Sequence, residues 1–137
     1  MTTGAKGTGS APFVSHEGYF AAATPEARER LVRIQREVER RVPGAIRCIA
    51  YRMPAFRQAR VFFYFAAFKQ HIGIYPPVTD DADLVTETAR WRGPKGNLAF
   101  PFREELPLDL IGRVAEALAR QYAGGAPRKK ASRKGSA

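Results

Sequence analysis

Between residues 49 and 76 the chain concentrates five phenylalanines (Phe56, Phe62, Phe63, Phe65, Phe68) and three tyrosines (Tyr51, Tyr64, Tyr75). Such density favours pleated strands, where rings pack against cross-strand neighbours. It also exceeds what one buried sheet face accommodates, so part of the set is expected on a surface where something binds. Residues 46–51 read as a first strand. Pro54 cannot donate to a ladder and is expected to break or bend that strand near Met53. Residues 61–68 and 72–75 follow as two more strands, joined by a short hairpin at Lys69-Gln70. In the last of these, Ile72 and Ile74 face one way while His71, Gly73 and Tyr75 face the other. Gly73 leaves room there for a ring or a ligand to approach the backbone.

Helical patterns flank these strands. Residues 16–22 read as a short helical turn carrying Tyr19 and Phe20. Thr24 is a good N-cap, Pro25 fits the first helical position, and Glu26 suits the positive end of the helix dipole. Ala27, Leu31, Ile34, Val38 and Val42 then form an apolar stripe that Pro43-Gly44 closes. Glu26 with Arg30, Glu29 with Arg33 and Glu37 with Arg41 stand four apart in the favoured orientation. After the strands come a helix over residues 80–90, a loop over 92–97, and a short strand over 98–102 limited by Pro101. Pro107 opens a last helix whose buried side is Leu110, Ile111, Val114, Leu118 and Tyr122, and Gly124-Gly125 ends it. The order helix, three strands, helix, strand, helix predicts an α+β fold, an antiparallel sheet with helices packed on one face.

The charge is unevenly placed. Of the net +10 over 137 residues, five cations without an acid (Arg128, Lys129, Lys130, Arg133, Lys134) fall near the C-terminus, and Lys6 adds another. The body between is only mildly basic. Residues 1–12 and 123–137 lack the apolar content to offset the entropy of ordering, so both are expected to stay disordered around one folded domain over 13–122. No run approaches the ~20 apolar residues of a membrane span, and the first residues lack the pattern of a secretory signal. No membrane association and a cytoplasmic location are therefore expected. The single Cys48 excludes an internal disulfide and reads as a small apolar strand residue.

Several residues carry potential chemistry. His71, beside Lys69 and Tyr75, can bind an anion, a metal or a proton, or can be a sheet histidine satisfied by a neighbour. A two-histidine, one-carboxylate iron site requires His16 to reach it. Tyr51, Arg52, Met53 and Phe56 flank the proline-bent strand end, where a bend re-aims side chains into a pocket with an adaptable apolar wall; ordinary core and turn packing is the alternative. Arg92-Gly93-Pro94-Lys95-Gly96 either offers N–H groups and Lys95 to an anion or is a plain turn. Trp91 beside it stacks on a ligand or caps the core. Asp83 and Glu87 share a helix face as a metal pair or as a solvated, capping face. No nucleophile elbow, metalloprotease motif or dinucleotide glycine pattern is present, and a non-enzymatic protein is expected.

The pattern as a whole resembles the YdhG-like domains, small bacterial proteins formerly classed as a domain of unknown function. The resemblance rests on Tyr51-Arg52-Met53-Pro54-Ala55-Phe56, on Tyr64-Phe65-Ala66-Ala67-Phe68-Lys69 and on His71-Ile72-Gly73-Ile74-Tyr75-Pro76. It continues through Lys95-Gly96, Phe100-Pro101 and Leu106-Pro107-Leu108-Asp109-Leu110-Ile111. It implies a frataxin-like α+β fold and, for one branch, an intracellular iron chaperone that holds iron weakly and passes it to iron-accepting proteins. The first long helix departs from that picture, because its arginines compete for the carboxylates that would attract a hard cation. The expected function is reversible binding and delivery of iron or a small ligand at Tyr51, Met53, Phe56, Lys69, His71, Tyr75 and Lys95. The alternative is association with nucleic acid or another polyanion, non-specifically, through Arg128, Lys129, Lys130, Arg133, Lys134 and the arginine-rich helix.

Overall fold

The computed structural model of the chain describes residues 13–123. Helix α1 (His16–Ala22) begins at Ser15, whose Oγ accepts from the Gly18 N–H at 3.0 Å. Helix α2 (Pro25–Arg41) begins at Thr24, whose Oγ1 accepts from Ala27 N–H, with Pro25 where a missing donor is harmless. Five strands follow: β1 (Ile46–Ala50), β2 (Met53–Arg57), β3 (Val61–Ala67), β4 (His71–Tyr75) and β5 (Leu98–Pro101). They pair antiparallel in chain order. Helix α3 (Ala82–Glu87) and a 3-10 turn (Ala89–Trp91) link β4 to β5. Helix α4 (Leu108–Leu118) closes the fold, continued by a π-helical turn over Ala119–Ala123.

The α+β class is as read from the sequence, with two differences of detail. Pro54 does not end the sheet; it lies within β2, opposite Ile49. Residues Tyr51 and Arg52, at φ 51° and 66°, form a two-residue left-handed turn that folds β2 back on β1. Around such a turn Ile49 and Pro54 form a non-hydrogen-bonded pair, so the donor Pro54 lacks would point toward β3. The β2–β3 ladder runs from Ala55 onward and does not need it. The helix expected over residues 80–90 ends early because Thr88 turns its hydroxyl back onto the Leu84 carbonyl at 2.6 Å.

All the helices pack on one face of the sheet. His16 and Phe20 of α1 meet Phe56 and Phe65, and Leu31, Ile34 and Val38 of α2 join Ile111, Val114 and Leu118 of α4 in the same core. The β2–β3 register slips between Phe56 and Arg57, leaving Phe62 as the extra residue. A bulge re-aims side chains, and here both Phe62 and Phe63 are fully buried. Gly112 lets α4 approach α2: a Cβ there would sit 2.7 Å from Glu37 Oε2 and 2.8 Å from Arg41 Nε. Arg41 ties the two helices together, donating to Glu37, Asp109 and Glu116. Leu110 and Tyr122 lie half-buried at the rim of this core.

Candidate functional site

Strand alternation divides the rings between the two faces of the sheet. Phe56, Phe62, Phe63 and Phe65 are all fully buried on the helix side. Tyr64 lies one residue from Phe65 and so points away from the helices. Through the register it shares a row with Cys48, Ala55 and Tyr75. The neighbouring row is Ala66, Gly73 and Ala99, a floor of small residues. Two aromatic groups rest on this floor. Tyr51 folds back from its turn onto Tyr64, ring centroids 5.8 Å apart. Phe68 stacks on His71 at 4.9 Å and 20°. Phe68 and Tyr75 both reach over Gly73, where a Cβ would lie 2.8 Å from the Phe68 ring and 3.0 Å from the Tyr75 hydroxyl.

Among the described residues no helix covers this face. Tyr51 is 83% exposed and Phe68 43%. Tyr64, His71 and Tyr75 are half-buried. Burial pushes the Tyr64 phenol and the Cys48 thiol above their ordinary values, so both groups stay protonated and neutral near pH 7. Cys48 is thus a thiol at the edge of the aromatic layer, not an activated nucleophile.

The charge around the sheet has one sign. No acid falls between Glu39 and Asp80, nor between Glu87 and Glu104, and these two stretches hold all five strands. Arg52 and Lys69 stand in the turns at one end of the strands, with Arg103 just beyond β5. Arg60 and Lys95 stand in loops at the other end, and Arg57 lies on the open face close enough to Cys48 to act on its thiol. Among the described residues none of these six enters an ion pair. The helix layer is different. Arg47 is held by Glu17 and Glu39, Arg113 grips Glu87 with two bonds, and Glu26 pairs with Arg30. Burial raises the Glu37 carboxyl, but Arg40 and Arg41 outweigh it and hold the group below its usual value. Glu29 and Arg33 form no ion pair, although their spacing suits one.

Of the residues singled out in the sequence, Tyr51, Met53, His71 and Tyr75 share the open face, and Lys69 stands at its edge. Phe56 does not belong with them: it is fully buried on the opposite side, stacked on Phe65 at 5.8 Å. Lys95 does not converge with His71. It occupies the loop beyond the Tyr75 end of β4, and four residue steps of strand, about 13 Å, separate the ends. That loop is a plain turn, because the N–H groups of Gly93 and Gly96 bond to Asn97 and Gly93 carbonyls. Trp91 caps the core against Phe100 and carries Arg90 on its ring. Tyr64, Phe68 and Arg57 were missed as site residues. The alternation that places His71, Gly73 and Tyr75 together also places Tyr64, Ala66 and Phe68, and the absence of acids was there to be read.

His16 cannot join His71 at a metal, since it is buried on the helix side. Its Nε2–H donates to the Ala55 carbonyl at 2.9 Å and the Cys48 carbonyl at 3.1 Å, while Nδ1 accepts from Gln35 at 2.9 Å. Two acceptors at one nitrogen and a donor at the other fix the neutral tautomer, and burial lowers its affinity for a further proton. Among the described residues no three His, Cys, Asp or Glu side chains gather as a metal site, and no helix is long and apolar enough to cross a membrane. Asp83 loses its expected partner, because Glu87 is taken by Arg113. Arg128, Lys129, Lys130, Arg133 and Lys134 lie outside the described residues.

No protein-family model and no curated protein matches the chain. Among solved structures, it is similar to the crystal structure of a protein from the DUF1801 family, YdhG, from Bacillus subtilis. The TM-score is 0.69 at 17% identity, over 83% of this chain and 95% of that one. A likeness at this identity shows a shared fold.

Proposed function

We propose that this chain is a non-enzymatic binding protein of the YdhG-like kind that holds its ligand reversibly against the open face of the sheet. The observation that carries this reading is the set of five rings, Tyr51, Tyr64, Phe68, His71 and Tyr75, left uncovered among cations with no acid between them. Exposed and half-buried rings beside a floor of small residues suit a planar ligand, and the surrounding charge suits an anionic one. Adenosine monophosphate joins both properties and is the simplest probe. The expected result is saturable binding that the double variant Tyr51→Ser, Phe68→Ser abolishes while its circular dichroism stays native. Equal affinity in that variant contradicts the reading.

Iron delivery, a frataxin-like relation and iron-accepting partners rest on the sequence resemblance alone, and a cytoplasmic location on the sequence pattern alone. The carboxylates of α2 that would hold a cation are mostly paired with arginine: Glu26, Glu37 and Glu39 each have a guanidinium partner. Of the six arginines of the arginine-rich helix, four are engaged within the fold, and among the described residues Arg33 and Arg36 have no partner. Arg28 donates to three carbonyls at the end of α1, and Arg30, Arg40 and Arg41 bond to Phe102, Glu37 and α4.

A further inference from the structure

We infer that the ligand of the open sheet face is single-stranded nucleic acid, laid across the strands with its bases on the rings and its phosphates on the cations. This rests on the reading that the open face is the binding surface. Three observations carry it further, to a polymer. The first is the spread of the rings. Tyr51 and Tyr64 sit on the β1–β3 half of the face, and Phe68, His71 and Tyr75 on the β3–β4 half. Tyr64 and Tyr75 are cross-strand partners, so the two groups join in one track from the β1–β2 turn to β4, about 10–14 Å across and longer than a single base. The second is the placement of charge. Arg52, Lys69 and Arg103 line one end of the strands, and Arg57, Arg60 and Lys95 the other. One small anion cannot meet both ends, whereas a phosphodiester backbone can run along them. The third is the shape of the face. It is open, whereas the cavities described at Trp91–Arg113, at Arg41–Arg120 and at Phe13–Ala67 line other parts of the fold. Bases unstacked from a strand present flat π-faces that an open sheet can receive, while a duplex keeps its bases stacked inside.

Arginine and lysine around a row of rings give sequence-tolerant binding that weakens with salt, because each neutralised phosphate releases counterions. About four to six nucleotides match the face, at the short end of sites built on single sheets. None of the rings or cations invoked belongs to the basic residues beyond 123, so ring dependence separates the face from the tail.

The test is anisotropy of labelled oligonucleotides with the full chain. Single-stranded RNA and DNA of one to eight nucleotides are compared with a duplex of the same sequence and with a poly-glutamate peptide. Affinity is expected to rise with length to about five nucleotides and then level off, to exceed that for the duplex, and to fall about tenfold for Tyr51→Ala and again for Phe68→Ala. A Tyr51→Phe variant, which keeps the ring, is expected to bind normally. The RNA and DNA arms show whether a 2′-hydroxyl matters. The inference is overturned if ring variants bind as the native chain does, which assigns binding to the tail. It is also overturned if the duplex binds as well as the single strand. If binding is ring-dependent but stops improving at one nucleotide, or favours the peptide, the polymer fails while the open-face reading stands. If no probe shows ring dependence, both fail.

Discussion

The ring of Tyr51 lies on that of Tyr64, 5.8 Å between centroids, because the turn carrying Tyr51 holds it at φ 51° and swings it back over the sheet. Neither Tyr51 nor Arg52 is a residue that favours this conformation, which costs about 1–2 kcal/mol for each side chain with a Cβ. Asn-Gly would adopt it readily. The fold thus carries strain where it presents its most exposed ring and an unpaired cation, an arrangement met at sites kept for function.

Replacing the turn by Tyr51→Asn and Arg52→Gly is expected to stabilise the protein by about 1–2 kcal/mol, read from urea unfolding. The same change removes a ring and a charge from the open face and is expected to weaken ligand binding. Loss of stability in this variant would show that the turn is not strained.

Gly73 leaves room for Phe68 and Tyr75 to lie over the strand. Gly73→Ala is expected to displace these two rings, because both close neighbours are outer atoms of side chains on an open surface. The melting temperature should change by little, since the chain also loses unfolded-state freedom. Binding should fall at least severalfold. Normal binding with normal stability would remove the placement of Phe68 and Tyr75 over Gly73 from the site.

Phe65 touches His16, Phe20, Phe56 and Phe63 at the centre of the core. Phe65→Ala is expected to cost about 3–5 kcal/mol. Tyr64→Ala, one residue away on the open face, is expected to cost much less. Equal losses would contradict the division of β3 into a core face and an open one.

His16 makes stability depend on pH. Its folded pKa lies below the ordinary 6.5, chiefly through burial. Above that value both folded and unfolded forms are neutral, and stability is full. As pH falls from 6.5 toward the folded value, the unfolded chain takes up a proton that the folded chain refuses, and stability is lost by at most about 1.4 kcal/mol per pH unit. Urea midpoints at pH 7.5 and 5.5 should therefore differ in the native chain. The difference should shrink in His16→Gln, which keeps a donor but does not titrate. Parallel behaviour of the two proteins would assign the pH dependence to other groups.

The helices were legible because their ends are marked: Thr24-Pro25 opens α2 and Pro43-Gly44 follows it. The two faces of β4 were legible because His71, Ile72, Gly73, Ile74 and Tyr75 alternate cleanly. The β1–β2 hairpin was not, because Tyr51-Arg52 is a poor turn sequence and Pro54 signals a break that the sheet avoids by leaving its donor unneeded. Phe56 was misplaced for the same reason. Without β2 as a strand, nothing said which side its ring would take. Lys95 and His71 are near in the motif pattern but stand at opposite ends of a strand, a distance that only the register supplies.

The central claim is that the ligand rests on the open face of the sheet. Amide chemical shifts of the full chain, followed during titration with adenosine monophosphate, test it most directly. The account predicts saturable changes centred on Cys48, Ala55, Tyr64, Ala66 and Gly73, with α2 and α4 unmoved. Changes confined to the helices, or to residues 128–134, would contradict it.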